Sequence, residues 1–169
     1  MERIIAILEK IDRQGMDKVI EYLRASNYAT AYGGSHHTYE GGLVDHSFEV
    51  YERMMERRED LPEESVAICA FLHDLGKTEC AGFACRGHHP RRAVSILSKC
   101  GFSLTPAEKL AIAQHHSKSK AYFSHPLRYC LSSSDMCSTG KWKTEHPDPN
   151  ESLYSRIKNA ALYAFSKKL

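Results

Sequence analysis

The sequence predicts an all-α fold, and three observations carry that expectation. Apolar residues recur at three- and four-residue spacing along most of the chain. Signals that start helices precede these stripes at Asp45, Pro62, Pro90, Thr105, Pro126 and Asn150. No stretch alternates apolar and polar residues as a half-buried strand does. The expectation is one bundle of seven or eight helices spanning residues 1–169, with two starting helices in 1–26 and a last helix in 150–166.

Taken in order, Ile4, Ile7, Leu8 and Ile11 form a first amphipathic stripe, and Val19, Ile20 and Leu23 begin a second after Gly15. The segment "NYATAYGGSHHTYEGGL" follows, and its Gly33-Gly34 and Gly41-Gly42 pairs predict a structured loop. Asp45 is a good N-cap for a helix with His46, Val50 and Met54 in register. Pro62, Glu63 and Glu64 suit the first turn of the next helix, which runs into "AFLHDLGK". Pro90 opens a helix through Val94 and Leu97 that Gly101 closes. Thr105-Pro106-Ala107-Glu108 is a capping box launching the helix of "LAIAQHH". Pro126 starts a stripe of Leu127, Cys130, Leu131, Ser134 and Asp135, followed by "TGKWKTEHPDPN" as a loop. Asn150 caps a last helix with Leu153, Ile157, Ala160 and Ala164 on one face.

Bulk properties narrow the function classes. The formal net charge of +2 on 169 residues argues against a broad electrostatic footprint on nucleic acid. The N-terminus is interrupted by Glu2, Arg3, Glu9 and Lys10 and lacks the apolar core of a signal peptide. No window approaches the roughly 18 apolar residues that a membrane span needs. Six cysteines stand singly without a CxxC pair, as buried thiols in a reducing compartment would. These features predict a cytoplasmic protein with no membrane partner.

The chemistry sits in the polar residues on the apolar faces. His46 shares a face with Val50 and Met54; His73 follows Val66, Cys69 and Ala70; His115 follows Ala107 and Ala111; Asp135 continues the Leu127/Leu131 stripe. Each therefore points inward from a different helix. A buried carboxylate must be neutralised, paired or bound to a cation. Imidazoles and carboxylates converging on one point resolve that cost best by holding a divalent transition metal, with Mn, Fe, Co, Ni and Zn all open for such N and O donors.

In its residues His46, His73-Asp74 and Asp135 the chain resembles the HD-domain superfamily of metal-dependent phosphohydrolases, a helical fold, over roughly residues 35–139. The resemblance implies that these four residues ligate one metal. Members with two metals use the HD aspartate, here Asp74, as a bridge and add two histidines, for which the doublets His88-His89 and His115-His116 are the candidates. The pattern favours His88 and His115 and leaves a one-residue ambiguity in each doublet.

The segment "HHTYEGGLVDHS" is also similar to the stretch before the first metal histidine of small HD proteins, which implies His36 and His37 as wall residues. Lys77, one turn past His73, is expected on a phosphoryl oxygen and, with Asp74, in the catalytic set. His89, His116, Arg86, Arg91 and Lys118 are expected around an anionic substrate. The resemblance implies hydrolysis of a phosphate ester, from a nucleotide or other small phosphoester, by metal-activated water. Two other classes stay open: a di-iron oxygenase that cleaves a C–C or C–P bond, and a non-catalytic nucleotide-binding module.

Overall fold

A computed structural model describes residues 1–34, 36–79, 88–117, 125–145 and 152–166. Among these residues there are eight α-helices: α1 (Glu2–Leu8), α2 (Met16–Ala25), α3 (Gly42–Glu56), α4 (Glu63–Leu72), α5 (His89–Lys99), α6 (Pro106–Gln114), α7 (Pro126–Glu145) and α8 (Leu153–Ser166). Two short 3₁₀ segments, Asn27–Ala29 and Leu75–Glu79, join them, and no strand occurs among the described residues. The architecture is all-α, as the spacing predicts.

One helix organises the rest. Every residue of α4 from Ser65 to Leu72 is buried. A helix that is apolar all round has to lie inside, and α4 does so, packed against α1, α3, α6 and α7. Its last turn therefore delivers His73 and Asp74 into the interior, while its neighbours α3, α6 and α7 bring His46, His115 and Asp135. The answering polar residues arrive on helices that are already held by apolar contact.

Two local devices keep this end of α4 in place. The Tyr28 hydroxyl, fully buried, donates to the Phe71 carbonyl at 2.7 Å and lies 2.8 Å from Ser47 Oγ. Gly76 lets the 3₁₀ turn after Asp74 lie against the start of α5, because a Cβ there would fall on the His89 carbonyl oxygen. Replacing Tyr28 by Phe leaves a buried carbonyl short of a donor, and a loss of about 1–3 kcal/mol is expected by urea denaturation. An unchanged denaturation midpoint would show that Phe71 has no need of that donor.

Several boundaries differ from the sequence expectation. Helix α3 begins at Gly42 with Gly41 as its N-cap, and Asp45 lies in the first turn, where it accepts from the Tyr39 hydroxyl at 2.7 Å. Gly41 takes φ +83°, a left-handed conformation that suits glycine, so the chain can turn into the helix earlier than a side-chain cap requires. Helix α7 does not stop at Ser138: it runs through Thr139-Gly140-Lys141 to Glu145, the first half of the expected loop. That polar run is a helix surface, with Lys141 reaching back to Glu49 on α3. The Asn150 cap lies outside the described residues. Helix α8 packs on α7, but Ile157, Ala160 and Ala164 of its expected buried face are exposed. Thr105 and Glu108 form the predicted capping box, and Gly101 has the left-handed φ expected after α5.

Cys69, Cys100, Cys130 and Cys137 are free thiols, three of them buried. Among the described residues no helix is long and apolar enough to cross a membrane.

Candidate metal centre

Three imidazoles are oriented by what their Nδ1 atoms meet. His73 Nδ1 is 2.9 Å from the Ala70 carbonyl, and His115 Nδ1 is 2.8 Å from the Ile112 carbonyl. A carbonyl oxygen only accepts, so in both rings Nδ1 carries the hydrogen and Nε2 of the neutral ring keeps its lone pair. His46 Nδ1 is 3.0 Å from Ser138 Oγ. All three Nε2 atoms then face a common centre, as the ring nitrogens of metal-binding histidines do when the other nitrogen is held by a carbonyl or hydroxyl.

Asp74 occupies that centre, 2 % exposed. Its Oδ2 lies 3.3 Å from His73 Nε2 and 3.6 Å from His46 Nε2. Its Oδ1 lies 3.1 Å from His89 Nε2 and 3.8 Å from His115 Nε2. Each oxygen therefore serves a different pair of histidines. Asp135 closes the far side, with Oδ1 3.2 Å from His46 Nε2 and Oδ2 3.5 Å from His116 Nδ1. Lys77 Nζ donates to Asp74 Oδ2 at 2.5 Å and to the Gly33 carbonyl at 2.7 Å, which ties the loop carrying His36 and His37 to the HD pair.

The electrostatics follow from burial against charge. Burial alone would raise both aspartates, but Lys77 and His73 hold Asp74 well below the usual carboxylate range, and His46 with His115 does the same for Asp135. Burial would lower His73, yet Asp74 and then Asp135 outweigh it and raise it. Burial prevails at His46, which is lowered, and at His115, pushed down to about 3 with help from His73. Both carboxylates are thus held ionised, His46 and His115 are held toward the neutral ring, and His73 is drawn toward its charged form.

Those rings test whether a metal fits. His46 Nε2, His73 Nε2, His115 Nε2 and Asp74 Oδ1 are buried without a hydrogen-bond partner. Such atoms are costly unless something satisfies them, and the Nε2 lone pairs of the lowered His46 and His115 repel the carboxylate oxygens they face. A cation among them turns that repulsion into ligation. Four groups here could hold one: His46, His73 and Asp135; His73, Asp74 and His115; His89, His115 and His116; and His36, His37 and His46. Within each, the donor atoms lie within 4.8 Å of one another. With only imidazole nitrogen and carboxylate oxygen present, the donor set suits a divalent transition metal.

Of the expected residues, His46, His73, Asp74, His115 and Asp135 come together in the interior. His88, the favoured member of the first doublet, does not. It is exposed at the N-cap of α5, and His89, one position and about 100° further round, is the buried member facing Asp74. His116 borders the cluster with half its side chain exposed. His36 and His37 are buried beside His46, ring centroids 4.5 and 5.3 Å away. Burial, the His46 ring and Lys77 push His36 down to about 2. Arg91 is exposed on the first turn of α5, and Arg86 and Lys118 lie outside the described residues.

Several residues of the site carried no expectation. Arg128, 1 % exposed, donates to the Gln114 and Ser117 carbonyls and fixes the chain on either side of the His115-His116 doublet. Ser138 and Glu49 stand behind His46. Ser138 extends the Leu127/Leu131/Ser134 spacing and Glu49 lies one turn from His46, so both had a positional signal.

No curated protein and no solved structure matches the chain. A family model, the HD domain, does match, over residues 43–160, and that span contains His46, His73, Asp74, His89, His115 and Asp135. The match covers well over half of the chain and agrees with the all-α fold and its buried histidine–aspartate cluster: the chain belongs to the HD-domain family, whose general activity is metal-dependent phosphohydrolysis.

Proposed function

We propose that this protein hydrolyses a phosphate ester of a nucleotide or another small phosphoester with metal-activated water. The observation that carries the reading is Asp74, whose two oxygens face two different histidine pairs. His46, His73, Asp74 and Asp135 would hold one ion, and Asp74 with His89 and His115 would hold a second. A bound divalent ion lowers the pKa of water toward about 7 and polarises a phosphoryl oxygen.

The chain's own groups do the rest. Lys77, anchored on Gly33 O and Asp74, places an ammonium at the edge of the centre, where it binds a phosphoryl oxygen. His116, half exposed, and the buried His36 and His37 wall the approach to the cluster. Near-neutral overall charge and a deeply buried centre favour a small phosphorylated substrate over a long nucleic acid.

Elemental analysis of protein purified without chelator, followed by a metal-supplemented screen of nucleotides, cyclic nucleotides and generic phosphoesters, tests the proposal. Two ions per chain and hydrolysis that chelator removes and Mn restores are expected. One ion per chain would leave His89 and His115 as wall residues. Activity untouched by chelator would overturn the proposal, and oxygen uptake without hydrolysis would assign the centre to oxygenase chemistry.

A further inference from the structure

Glu49 sits outside the cluster, one helical turn from His46 on α3, and gathers groups from two other elements. Lys141 Nζ donates to its Oε1 at 2.9 Å, and Ser138 Oγ donates to its Oε2 at 2.8 Å, both from α7. His37 Nε2 lies 3.6 Å from the same Oε2. Burial would raise this carboxyl, but His37, Lys141 and Ser138 together hold it at about 2. Glu49 is therefore an acceptor only.

That fixes the direction of the next contact. Ser138 is fully buried and has one hydroxyl hydrogen, which goes to Glu49. Its Oγ then meets His46 Nδ1, 3.0 Å away, with lone pairs alone. The contact is favourable only if Nδ1 carries the hydrogen. Nε2 is left with its lone pair toward Asp74 and Asp135.

We propose that Glu49, acting through Ser138, is a positioning residue that sets the tautomer and ring orientation of His46 for metal binding. The inference rests on the metal-hydrolase function above. His73 and His115 need no such device, because a backbone carbonyl can only accept. A hydroxyl can face either way, so His46 depends on the group behind it. Lys141 adds a further constraint by occupying Oε1 and leaving Oε2 for Ser138.

The isosteric change Glu49→Gln exploits this. Lys141 requires an oxygen, which turns the amide NH₂ toward Ser138. The serine hydrogen is then released to point at His46 Nδ1, and the tautomer preference inverts. Ser138→Ala removes the acceptor outright.

Co(II) titration of the full chain, read by its d–d absorption and by competition with a chromophoric chelator, tests the chain of contacts. Each single variant is expected to bind Co(II) about 10–100-fold more weakly, with a changed absorption band. The double variant should match Ser138→Ala within about twofold, since both changes break one path. Wild-type affinity in both singles, fully additive losses in the double, or losses that track a fall in melting temperature of the metal-free protein would overturn the positioning role while leaving the metal site intact. A wild-type chain that takes up no Co(II) would instead remove the proposed function, and this inference with it.

Discussion

Asp74→Asn is expected to leave the helices folded and the centre without its metal. Asparagine has the shape of aspartate, and its amide oxygen still accepts from Lys77, so the packing at the end of α4 survives. What goes is the negative charge that faces four imidazoles at 3.1–3.8 Å. The other oxygen becomes an NH₂, a donor, which no metal ligand can be. Because Asp74 touches both histidine pairs, one substitution weakens every ion at the centre. Metal chemistry is worth several kcal/mol of barrier, so the fall in hydrolysis is on the order of a thousandfold or more.

A thermal readout separates lost metal from lost fold. An ion at about 100 times its Kd stabilises the wild-type chain by about 2.7 kcal/mol, visible as a rise in melting temperature. Asp74→Asn should melt near the metal-free wild type and show no rise. Equal metal content, equal activity or an equal rise in both proteins would remove Asp74 from the centre.

How much of this centre was legible depended on whether something upstream set the phase of each helix. Val50 and Met54 fix which face of α3 is inward, and His46 follows from them. Ala111 does the same for α6, although Ala107, one turn earlier on the expected face, is exposed, and His115 is the buried member of its pair. His88 and His89 lie at the very start of α5, with no helical turn before them to carry a phase. The periodic residues Ala93 and Leu97 come after, and counting back from Ala93 by four reaches His89. The basic residues that follow the doublet suggested the other member, because charge marks a helix start but not its rotation.

Composition misled where it was used in place of packing. Thr139 to Glu145 is polar and contains Gly140, which suggests a loop, yet these residues continue α7 and place Lys141 on Glu49. The apolar stripe of α8 was visible as a stripe, but spacing does not say which neighbour it meets, and Ile157 is 60 % exposed. Spacing can place Ser138 and Glu49 on inward faces, but the hydrogen bond between them, like that from Tyr28 to Phe71, joins residues far apart in sequence and leaves no periodic trace. Such bonds follow from the helices' arrangement and could be found only after it.

Arg13→Ala should be the most damaging substitution remote from the centre. Arg13 lies between α1 and α2, and its guanidinium donates to Glu108 Oε2 at 2.6 Å and meets Glu64 Oε1 at 2.5 Å. Glu108 is 0 % exposed, and besides Arg13 it accepts from Ser65 Oγ at 2.7 Å and from the Thr105 backbone at 2.8 Å. One carboxylate thus closes the cap of α6 and ties the N-terminal helices to α4 and α6. Without Arg13 it is a buried charge with two neutral donors. Breaking such a pair costs about 3–5 kcal/mol, and the lower end applies because Arg13 is itself partly exposed. For a chain of this size about 3 kcal/mol lowers the melting temperature by about 6–12 °C. The cost lies in the stranded charge more than in the lost contact, so adding Glu108→Gln to Arg13→Ala should recover part of it. Gln carries no charge, its one oxygen can take the Thr105 N–H, and its NH₂ can donate to the Ser65 hydroxyl, which accepts once it turns. Urea midpoints at constant slope measure both steps. A single variant within about 0.5 kcal/mol of wild type would place the pair among surface ion pairs of little consequence. A double variant less stable than Arg13→Ala alone would show that the cap, not the charge, is what α6 loses.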